Sequence, residues 1–369
     1  MSLITITFYL FIFCLVVQLL YWLFIFSRVA FANIPISTFS NEPVSVVICG
    51  HNEGSNYPKF LPKILEQDYP RFEVIVVNDR STDNSKYILD NLQKTYPYLR
   101  VIHLNDFDRQ QIGKKHALTI GIKAAKNELI LLTDADSYPR SNQWIKIMSA
   151  ALVGKKSIGI AYAPFDKRPT FLNRFLRFDK LYIAIQYLSF GLVGWPYMGT
   201  GPNMIYRKRL FLQAKGFEKH AHLISGDDDL FVNEVADNEN TAIILHPDSL
   251  MYCEPKETLK AFYHQKSRHL STSWHYQLYH QLLLGVLAQT HFWLYIFGFV
   301  AFFSPRFQLF IGLGILLRWL VMYLIFRKVA IRYDEEDLSI WLPLMDVLYV
   351  PYFILFAFPL LKGSVDRWE

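Results

Sequence analysis

The sequence predicts an α/β domain with a mostly parallel sheet, set between apolar segments long enough to cross a membrane. Apolar strands alternate with amphipathic helices between residues 43 and 136, a pattern typical of a parallel sheet covered on both faces. The chain of 369 residues is 52% hydrophobic and 16% aromatic, which is more apolar than a soluble domain usually is. Polar clusters follow three of the predicted strands, where parallel sheets bind their ligands.

Four segments are long and apolar enough to span a bilayer, which takes about 20 residues. One precedes the predicted domain and three follow it, at residues 3–26, 281–303, 307–326 and 340–361. A cleaved signal peptide is disfavoured for the first, because its apolar run is long and no positive charge precedes it. Lys and Arg are frequent in the polar region and in the loop after residue 326, so both are predicted to face the cytoplasm.

Two charges lie inside the predicted spans, Arg318 in the third and Asp346 in the fourth. Charges inside a bilayer are costly and usually find partners. We therefore predict that Arg318 and Asp346 form an ion pair that clamps these two spans. The alternative is that Arg318 extends its guanidinium towards the cytoplasmic surface.

The elements of the α/β domain follow from the hydrophobic period. Runs rich in Val, Ile and Leu predict buried strands, and apolar positions three or four residues apart predict helices. The strands are expected at residues 43–50, 72–79, 100–104 and 128–136, and the helices at residues 57–69, 84–96 and 114–126. A further segment, residues 171–190, mixes basic and aromatic residues at helical spacing, and is either a helix lying in the membrane interface or an ordinary packed helix.

The fourth predicted strand runs into two aspartates in "ELILLTDADSYP". Side chains two residues apart on an extended segment point to the same side, so Asp134 and Asp136 would face one point and attract a cation. A turn or a helix cap is the alternative for this pair. A calcium loop is excluded, because Ile145 stands where that loop needs a bidentate Glu.

Polar residues also end the first two strands. "GHNEG" contains Asn52 and Glu53, and "NDRSTDNS" contains Asp79. Carboxylates at these places suit N–H and hydroxyl donors, although Asp79 could instead cap the following helix, a role for which Asp83 is better placed. No GxGxxG motif follows the first strand, which argues against a dinucleotide-binding fold.

Two later motifs and one earlier lysine provide further candidate residues. "ISGDDDLF" has three adjacent aspartates, which repel one another, so at least one is expected to have a raised pKa or to bind something. In "HQKSRHL", Gln265 and Arg268 lie one helical turn apart on a shared face. Lys114 begins the third helix, where it either meets an anion or is solvated.

Six stretches in order resemble the motifs of membrane-bound family 2 glycosyltransferases, the group that contains cellulose, chitin and hyaluronan synthases and ceramide glucosyltransferase. They are "VSVVICGHNEG", "VIVVNDRSTDNS", "GKKHALTIGIKAAKNELILLTDAD", "MGTGPNMIYRK", "SGDDDLF" and "QKSRH". The resemblance implies a GT-A nucleotide-sugar-binding domain. The expected divisions are an N-terminal transmembrane anchor (1–32), the GT-A domain (33–255), an interfacial amphipathic helix with the QxxRH motif (256–280) and a C-terminal transmembrane region (281–369).

The resemblance also implies roles for the candidate residues. Substrate contacts are expected from Asn52, Glu53, Asp79, Lys114, Asp134, Gly201, Asn203, Gln265, Arg268 and His269. Asp136, with Asp134, would hold Mg or Mn. The general base is Asp227 if "GDDDL" is aligned with the family's E-D-x-D-L pattern, and Asp228 if it is aligned with G-D-D. His269 stands where the family has a Trp that helps to form the acceptor floor.

The expected function is inverting transfer of a sugar from a nucleotide sugar, most simply a UDP-sugar, to a hydroxyl of a lipid or lipid-linked acceptor. Polymer synthases of this group usually have more spans, so a processive polysaccharide synthase is the second interpretation. A non-catalytic nucleotide-sugar-binding membrane protein and a hydrolase or phosphatase on the same sheet are further alternatives. The expected partners are the donor, a lipid or glycan acceptor and the bilayer, and not nucleic acid. The expected location is the bacterial inner membrane, with a cytoplasmic catalytic domain.

Overall fold

The computed structural model describes residues 2–34, 41–105 and 113–362. Its strands are β1 Val44–Gly50, β2 Phe72–Asp79, β3 Leu99–Leu104, β4 Leu129–Asp134, β5 Ser137–Pro139, β6 Ile158–Ile160, β7 Met204–Arg207, β8 Thr241–Ile243 and β9 Met251–Cys253. Its helices are α1 Leu3–Leu20, α2 Ser27–Phe31, α3 Tyr57–Leu65, α4 Ser85–Thr95, α5 Lys114–Ala124, α6 Trp144–Ala150, α7 Phe171–Leu192, α8 Lys208–Gln213, α9 Asp229–Val235, α10 Leu259–Ser271, α11 Leu278–Phe302, α12 Pro305–Arg332 and α13 Leu342–Lys362. A π-helical turn, Tyr21–Phe26, joins α1 to α2.

A seven-stranded sheet forms the centre of the α/β domain, in the order β3-β2-β1-β4-β7-β6-β8. The first four strands in this order are parallel, and β7 is antiparallel to both of its neighbours. Strand β1 is buried along its whole length, as expected for a strand covered on both faces. The predicted mostly parallel α/β domain is therefore confirmed.

The register of the parallel strands determines where the polar clusters meet. Cys49 of β1 is paired with Asp134 of β4, and Gly50 is paired with Asn78 of β2. The segments that follow these residues therefore leave the sheet at one edge. One detail differs from the prediction: β4 ends at Asp134, and a turn at Ala135 and Asp136 precedes β5, so the two aspartates are not successive same-side residues of one strand.

Four helical segments are long and apolar enough to cross a membrane: Leu3–Phe31, Leu278–Phe302, Pro305–Arg332 and Glu336–Phe356. They coincide with the four predicted spans, one before the α/β domain and three after it. Many of their large apolar side chains are exposed, as those of Phe13, Leu282 and Leu316 show. Such faces are stable in contact with lipid.

The predicted ion pair between Arg318 and Asp346 is confirmed, with Arg318 Nη2 donating to Asp346 Oδ1 at 3.0 Å. Both side chains are buried. Helix α7 is a packed helix rather than one lying free on a surface, since 13 of its 22 residues are buried. The alternative reading of residues 171–190 as an ordinary packed helix is therefore correct.

Candidate active site

The centre of the candidate site is a lysine between two carboxylates. Lys114 begins α5 at the edge of the sheet, and its Nζ lies 2.8 Å from Asp134 Oδ1 and 3.3 Å from Asp227 Oδ2. Burial alone would lower the pKa of Lys114, but the two carboxylates raise it well above its ordinary value. Lys114 is therefore a fixed cation within the site and not a solvated lysine.

The three adjacent aspartates have different surroundings. Asp228 accepts hydrogen bonds from two backbone N–H groups, from Gly201 to Oδ2 and from Asp229 to Oδ1, each at 2.8 Å. Asp229 Oδ2 accepts hydrogen bonds from the hydroxyls of Thr272 and, at 2.7 Å, Tyr276. These two carboxylates are therefore engaged in joining the loop before α9 to neighbouring segments.

Asp227 is the member of this triplet that pairs with Lys114. Burial opposes ionisation of Asp227, yet the nearby Lys114 brings its pKa below the ordinary value. Burial, together with the charges of Asp227 and Asp229, raises the pKa of Asp228 to about 7. At neutral pH Asp227 is thus an ionised carboxylate facing the site, whereas Asp228 is partly protonated.

A second acidic group lies around the turn after β4. Burial and the adjacent charge of Asp134 raise the pKa of Asp136. Burial also raises the pKa of Glu53, and the charge of Asp136 acts in the same direction. Glu53, predicted on the loop after β1, thus lies within electrostatic reach of both aspartates. Among the described residues, no group of three or more His, Cys, Asp or Glu side chains is placed to hold a metal ion.

Asp79 lies at the end of β2 and is 1% exposed. Its Oδ1 accepts from Arg80 Nε at 2.8 Å, while its Oδ2 is buried and has no hydrogen-bond partner among the described residues. Asp83 accepts from the backbone N–H of Ser85 at 3.0 Å, so it takes the helix-capping role that was the alternative for Asp79. A buried carboxylate oxygen without a partner requires an explanation, and a bound ligand or ion is one of the few available.

The side chains of Asn52 and Asn203 hydrogen-bond other segments of the protein. Asn52 Oδ1 accepts from Thr82 N at 2.8 Å, which joins the loops after β1 and β2. Asn203 is completely buried, and its amide bonds Trp144 Nε1, Tyr162 O and Ser249 O at 2.7 to 2.9 Å. The predicted substrate contact is not available to Asn203, because its side chain is saturated inside the core.

Gly201 is the part of the "MGTGPN" motif that reaches the site. A Cβ at this position would lie 3.2 Å from Lys114 Nζ and 3.5 Å from Asp228 Oδ2. This is a close approach of the backbone to charged groups, and a side chain would intrude on them.

Helix α10 brings the QxxRH motif to the same region. Arg268 Nε is buried without a hydrogen-bond partner among the described residues, and His269 lies within electrostatic reach of Asp227 and Lys114. Between the motif residues, Lys266 is buried and bonds Asp179 Oδ2 of α7 at 2.7 Å. Gln265 is half-buried on the same helix.

Several residues of the site had no sequence signal. Thr272 and Tyr276 lie 43 and 47 positions from Asp229, their shared partner. Lys115 is buried, and its Nζ donates to His220 O at 2.6 Å and to Leu223 O at 3.0 Å, in the loop before the aspartates. In the sequence Lys115 is seen only as the neighbour of Lys114 in "GKK", and its role in holding this loop follows from the structure alone.

The comparisons with known proteins concern the same part of the chain. Residues 45–213 match the sequence model of glycosyl transferase family 2, a segment that contains Asp79, Lys114, Asp134 and Asp136. The segment from residue 45 to residue 213 is therefore similar to a family 2 glycosyl transferase domain, in agreement with the resemblance.

Two curated relatives are similar over part of the chain. Glycosyltransferase GlyG of Streptococcus pneumoniae is 34% identical over 102 residues, which are 28% of this chain and 33% of GlyG. The probable glycosyltransferase YdaM of Bacillus subtilis is 25% identical over 233 residues, 61% of this chain and 54% of YdaM. The matched segments thus span from a third to about half of these relatives.

A solved structure supports the fold over almost the whole chain. The mannosyltransferase PcManGT from Pyrobaculum calidifontis, solved in complex with GDP-Man and Mn²⁺, is similar with a TM-score of 0.61 at 18% identity. The similarity covers 95% of this chain and 99% of that one. The predicted GT-A fold is therefore confirmed.

Proposed function

We propose that this protein is a membrane-bound, inverting glycosyltransferase that moves a sugar from a UDP-sugar to a hydroxyl of a lipid or lipid-linked acceptor. The observation that carries the proposal is the position of Lys114 between Asp134 and Asp227 at the carboxyl edge of the sheet. Ligands of parallel sheets bind at this edge. A cation flanked by carboxylates there suits the departure of an anionic diphosphate and the removal of a proton.

The donor side of the proposal rests on Asp79, Glu53 and Arg268. The unpartnered Oδ2 of Asp79 is an acceptor for the N–H of uracil, and Glu53 suits the ribose hydroxyls. The guanidinium of Arg268 has a buried Nε without a partner among the described residues, and guanidinium groups bind phosphate oxygens with two parallel hydrogen bonds.

The residues also fit a divalent cation held jointly with the donor. Mg²⁺ is usually bound through one or two carboxylates plus substrate phosphates rather than by an all-protein cage. Asp136 is a half-buried carboxylate on the turn directly after β4. Asp134 is already paired with Lys114, so Asp136 is the proposed main ligand. When bound, Mg or Mn would neutralise charge on the diphosphate; the similar solved protein held Mn²⁺ with its nucleotide sugar.

The transfer step itself follows from Asp227. The acceptor hydroxyl oxygen attacks the anomeric carbon on the face opposite the diphosphate, a carbon–oxygen bond forms, and the bond to the phosphate oxygen breaks. Asp227, which is ionised at neutral pH, takes the hydroxyl proton. One displacement of this kind inverts the anomeric centre.

The test measures release of UDP from a panel of UDP-sugars, and of GDP from GDP-mannose as a further donor, by the purified full chain in lipid nanodiscs. We expect release that depends on Mg or Mn, is stimulated by a total lipid extract and is lost in Asp227→Asn. Asp79→Asn should raise KM for the donor with a smaller effect on kcat, because it removes a nucleotide contact and not a reacting group.

Other outcomes would contradict this proposal in identifiable ways. Release without added lipid, accompanied by a long product, would favour the polysaccharide synthase. Metal-dependent binding of UDP-sugars without turnover would indicate the non-catalytic binding protein, and release of inorganic phosphate would indicate a phosphatase.

A further inference from the structure

An apolar groove of about 550 Å³ lies between helices α7, α10 and α13. Its walls include Phe175 of α7, Leu259 and Phe262 of α10, and Tyr352 and Leu355 of α13. The volume is within the range of small-molecule sites. Leu259 and Leu355 are 67% and 53% exposed, so the groove is open along one side.

Two of the helices that line the groove extend to other regions of interest. Its α13 wall belongs to a helix long and apolar enough to cross a membrane. Its α10 wall belongs to the helix that carries Arg268. From Lys260, at the groove, to Arg268 is about 12 Å along α10 at 1.5 Å per residue.

Cations accompany this path. Lys260 lines the otherwise apolar groove and is exposed. Lys256, four positions before Lys260 in the chain, and Lys180 of α7 lie within electrostatic reach of Asp136. An apolar groove with an exposed lysine among its lining residues matches an amphiphile that has a hydrocarbon chain and an anionic head.

We propose that this groove holds a hydrocarbon chain of the lipid acceptor, with a phosphate of the lipid headgroup at Lys260. The proposal rests on the function proposed above and adds that the acceptor lipid carries a phosphate. A lipid seated in this way enters from the bilayer along α13 and extends its headgroup along α10 towards Asp227.

The chain offers a matched pair of variants for the test. Leu355 lines the groove and is 53% exposed, whereas its neighbour Ile354 is 52% exposed and is not among the lining residues. We expect Leu355→Trp to fill the groove and to raise the apparent Kd for phosphatidylglycerol by about tenfold, because part of a buried chain is displaced. Ile354→Trp should bind like the wild type. Native mass spectrometry of the full chain in detergent, titrated with phosphatidylglycerol, measures both.

Lys260→Gln tests the phosphate contact separately. It should weaken the binding of phosphatidylglycerol by several-fold, as one lost surface charge contact would, and leave the binding of diacylglycerol unchanged. Equal weakening for both lipids would overturn the assignment of Lys260, and equal phosphatidylglycerol binding by Leu355→Trp and Ile354→Trp would overturn the groove assignment.

Two further measurements keep this inference distinct from the proposed function. UDP release in the presence of the total lipid extract tests the transferase itself. Release by the wild type, with unaltered lipid binding in Leu355→Trp, refutes only the groove, whereas silence with every donor refutes the function and the acceptor role together. Dimers that Leu355→Trp disrupts and Ile354→Trp does not would assign the groove to a second copy of this chain and overturn the lipid proposal.

Discussion

Three identical residues in a row have three different tasks at the candidate site. Asp229 is held by Thr272 and Tyr276, and Asp228 caps α9 and accepts from the N–H of Gly201. Asp227 alone pairs with Lys114. A general base needs a carboxylate that is ionised and directed at the substrate, so this arrangement favours Asp227 over Asp228 in the proposed reaction.

The dependence of kcat/KM on pH should distinguish the two aspartates. With Asp227 as the base, its lowered pKa keeps it ionised, so the rate is nearly constant above about pH 4, the ordinary range for Asp. With Asp228 as the base, the rate would rise as pH passes its pKa of about 7. We expect the first profile; an acid limb centred near pH 7 that Asp228→Asn removes would contradict it.

Substitutions at the same two positions give an independent measure. Asp227→Asn should lower kcat by about 10² to 10⁴-fold, the usual contribution of a general base. Asp228→Asn keeps one amide oxygen for the N–H groups of Gly201 and Asp229, so its effect on kcat should be much smaller. Thermal unfolding of both variants serves as the control for folding, and the reverse order of the two kcat values would identify Asp228 as the base.

At the scale of elements, α7 joins the α/β domain to the long apolar helices through buried charges. Asp179 accepts from Lys266 of α10 at 2.7 Å and from the hydroxyl of Tyr349 of α13 at 2.7 Å. Two positions earlier on α7, Arg177 bonds Glu335 and Asp337 in the connection between α12 and α13. Helix α10, and with it Arg268, is thereby held relative to the long apolar helices.

Loss of one member of the Asp179–Lys266 pair should destabilise the protein strongly. Lys266→Met leaves a carboxylate buried without its cation, which costs about 3 to 5 kcal/mol. The double variant Lys266→Met/Asp179→Leu should recover most of this loss, because neither charge then remains. Thermal unfolding in detergent measures the effects, and a double variant as unstable as the sum of the two single variants would show that the pair is not coupled.

At the scale of the whole molecule, one polar network connects all four long apolar helices. Arg318 of the third donates to Gln18 Oε1 of the first at 3.0 Å, as well as to Asp346 of the fourth. Two residues of the second helix also contact Asp346. His291 Nε2 lies 3.0 Å from the backbone oxygen of Asp346, and the hydroxyl of Tyr295 donates to the Asp346 carboxylate. The network fixes how these helices pack, because polar groups in lipid must find partners within the protein.

This network predicts a double-mutant outcome. Arg318→Met or Asp346→Leu alone leaves one buried charge without its partner, which should lower the free energy of unfolding by about 3 to 5 kcal/mol. The unfolding temperature and the yield in membranes should fall accordingly. The double variant should be more stable than either single variant. Equal stability of wild type and both single variants would show that the ion pair contributes nothing to assembly.

Local pattern determined much of this protein. Runs of Val and Ile, and apolar residues at helical spacing, are properties of neighbouring residues, so the parallel strands, their helices and the four long apolar helices were predictable within a few positions. The clusters containing Glu53, Asp79 and Asp134 could be assigned to one edge, since the carboxyl ends of parallel strands meet there. The Arg318–Asp346 pair was predictable because isolated charges are rare in apolar helices.

Only the tertiary structure decided what each polar residue does. Asn203 lies in a motif but is saturated in the core, Lys266 lies between motif residues but bonds α7, and the three aspartates differ only in partners that lie far away in the chain. The turn at Ala135 and Asp136, and the burial of α7, likewise depend on segments that pack against them. Hydrogen bonds and burial are set by contacts between distant residues, and a local sequence pattern does not record those contacts.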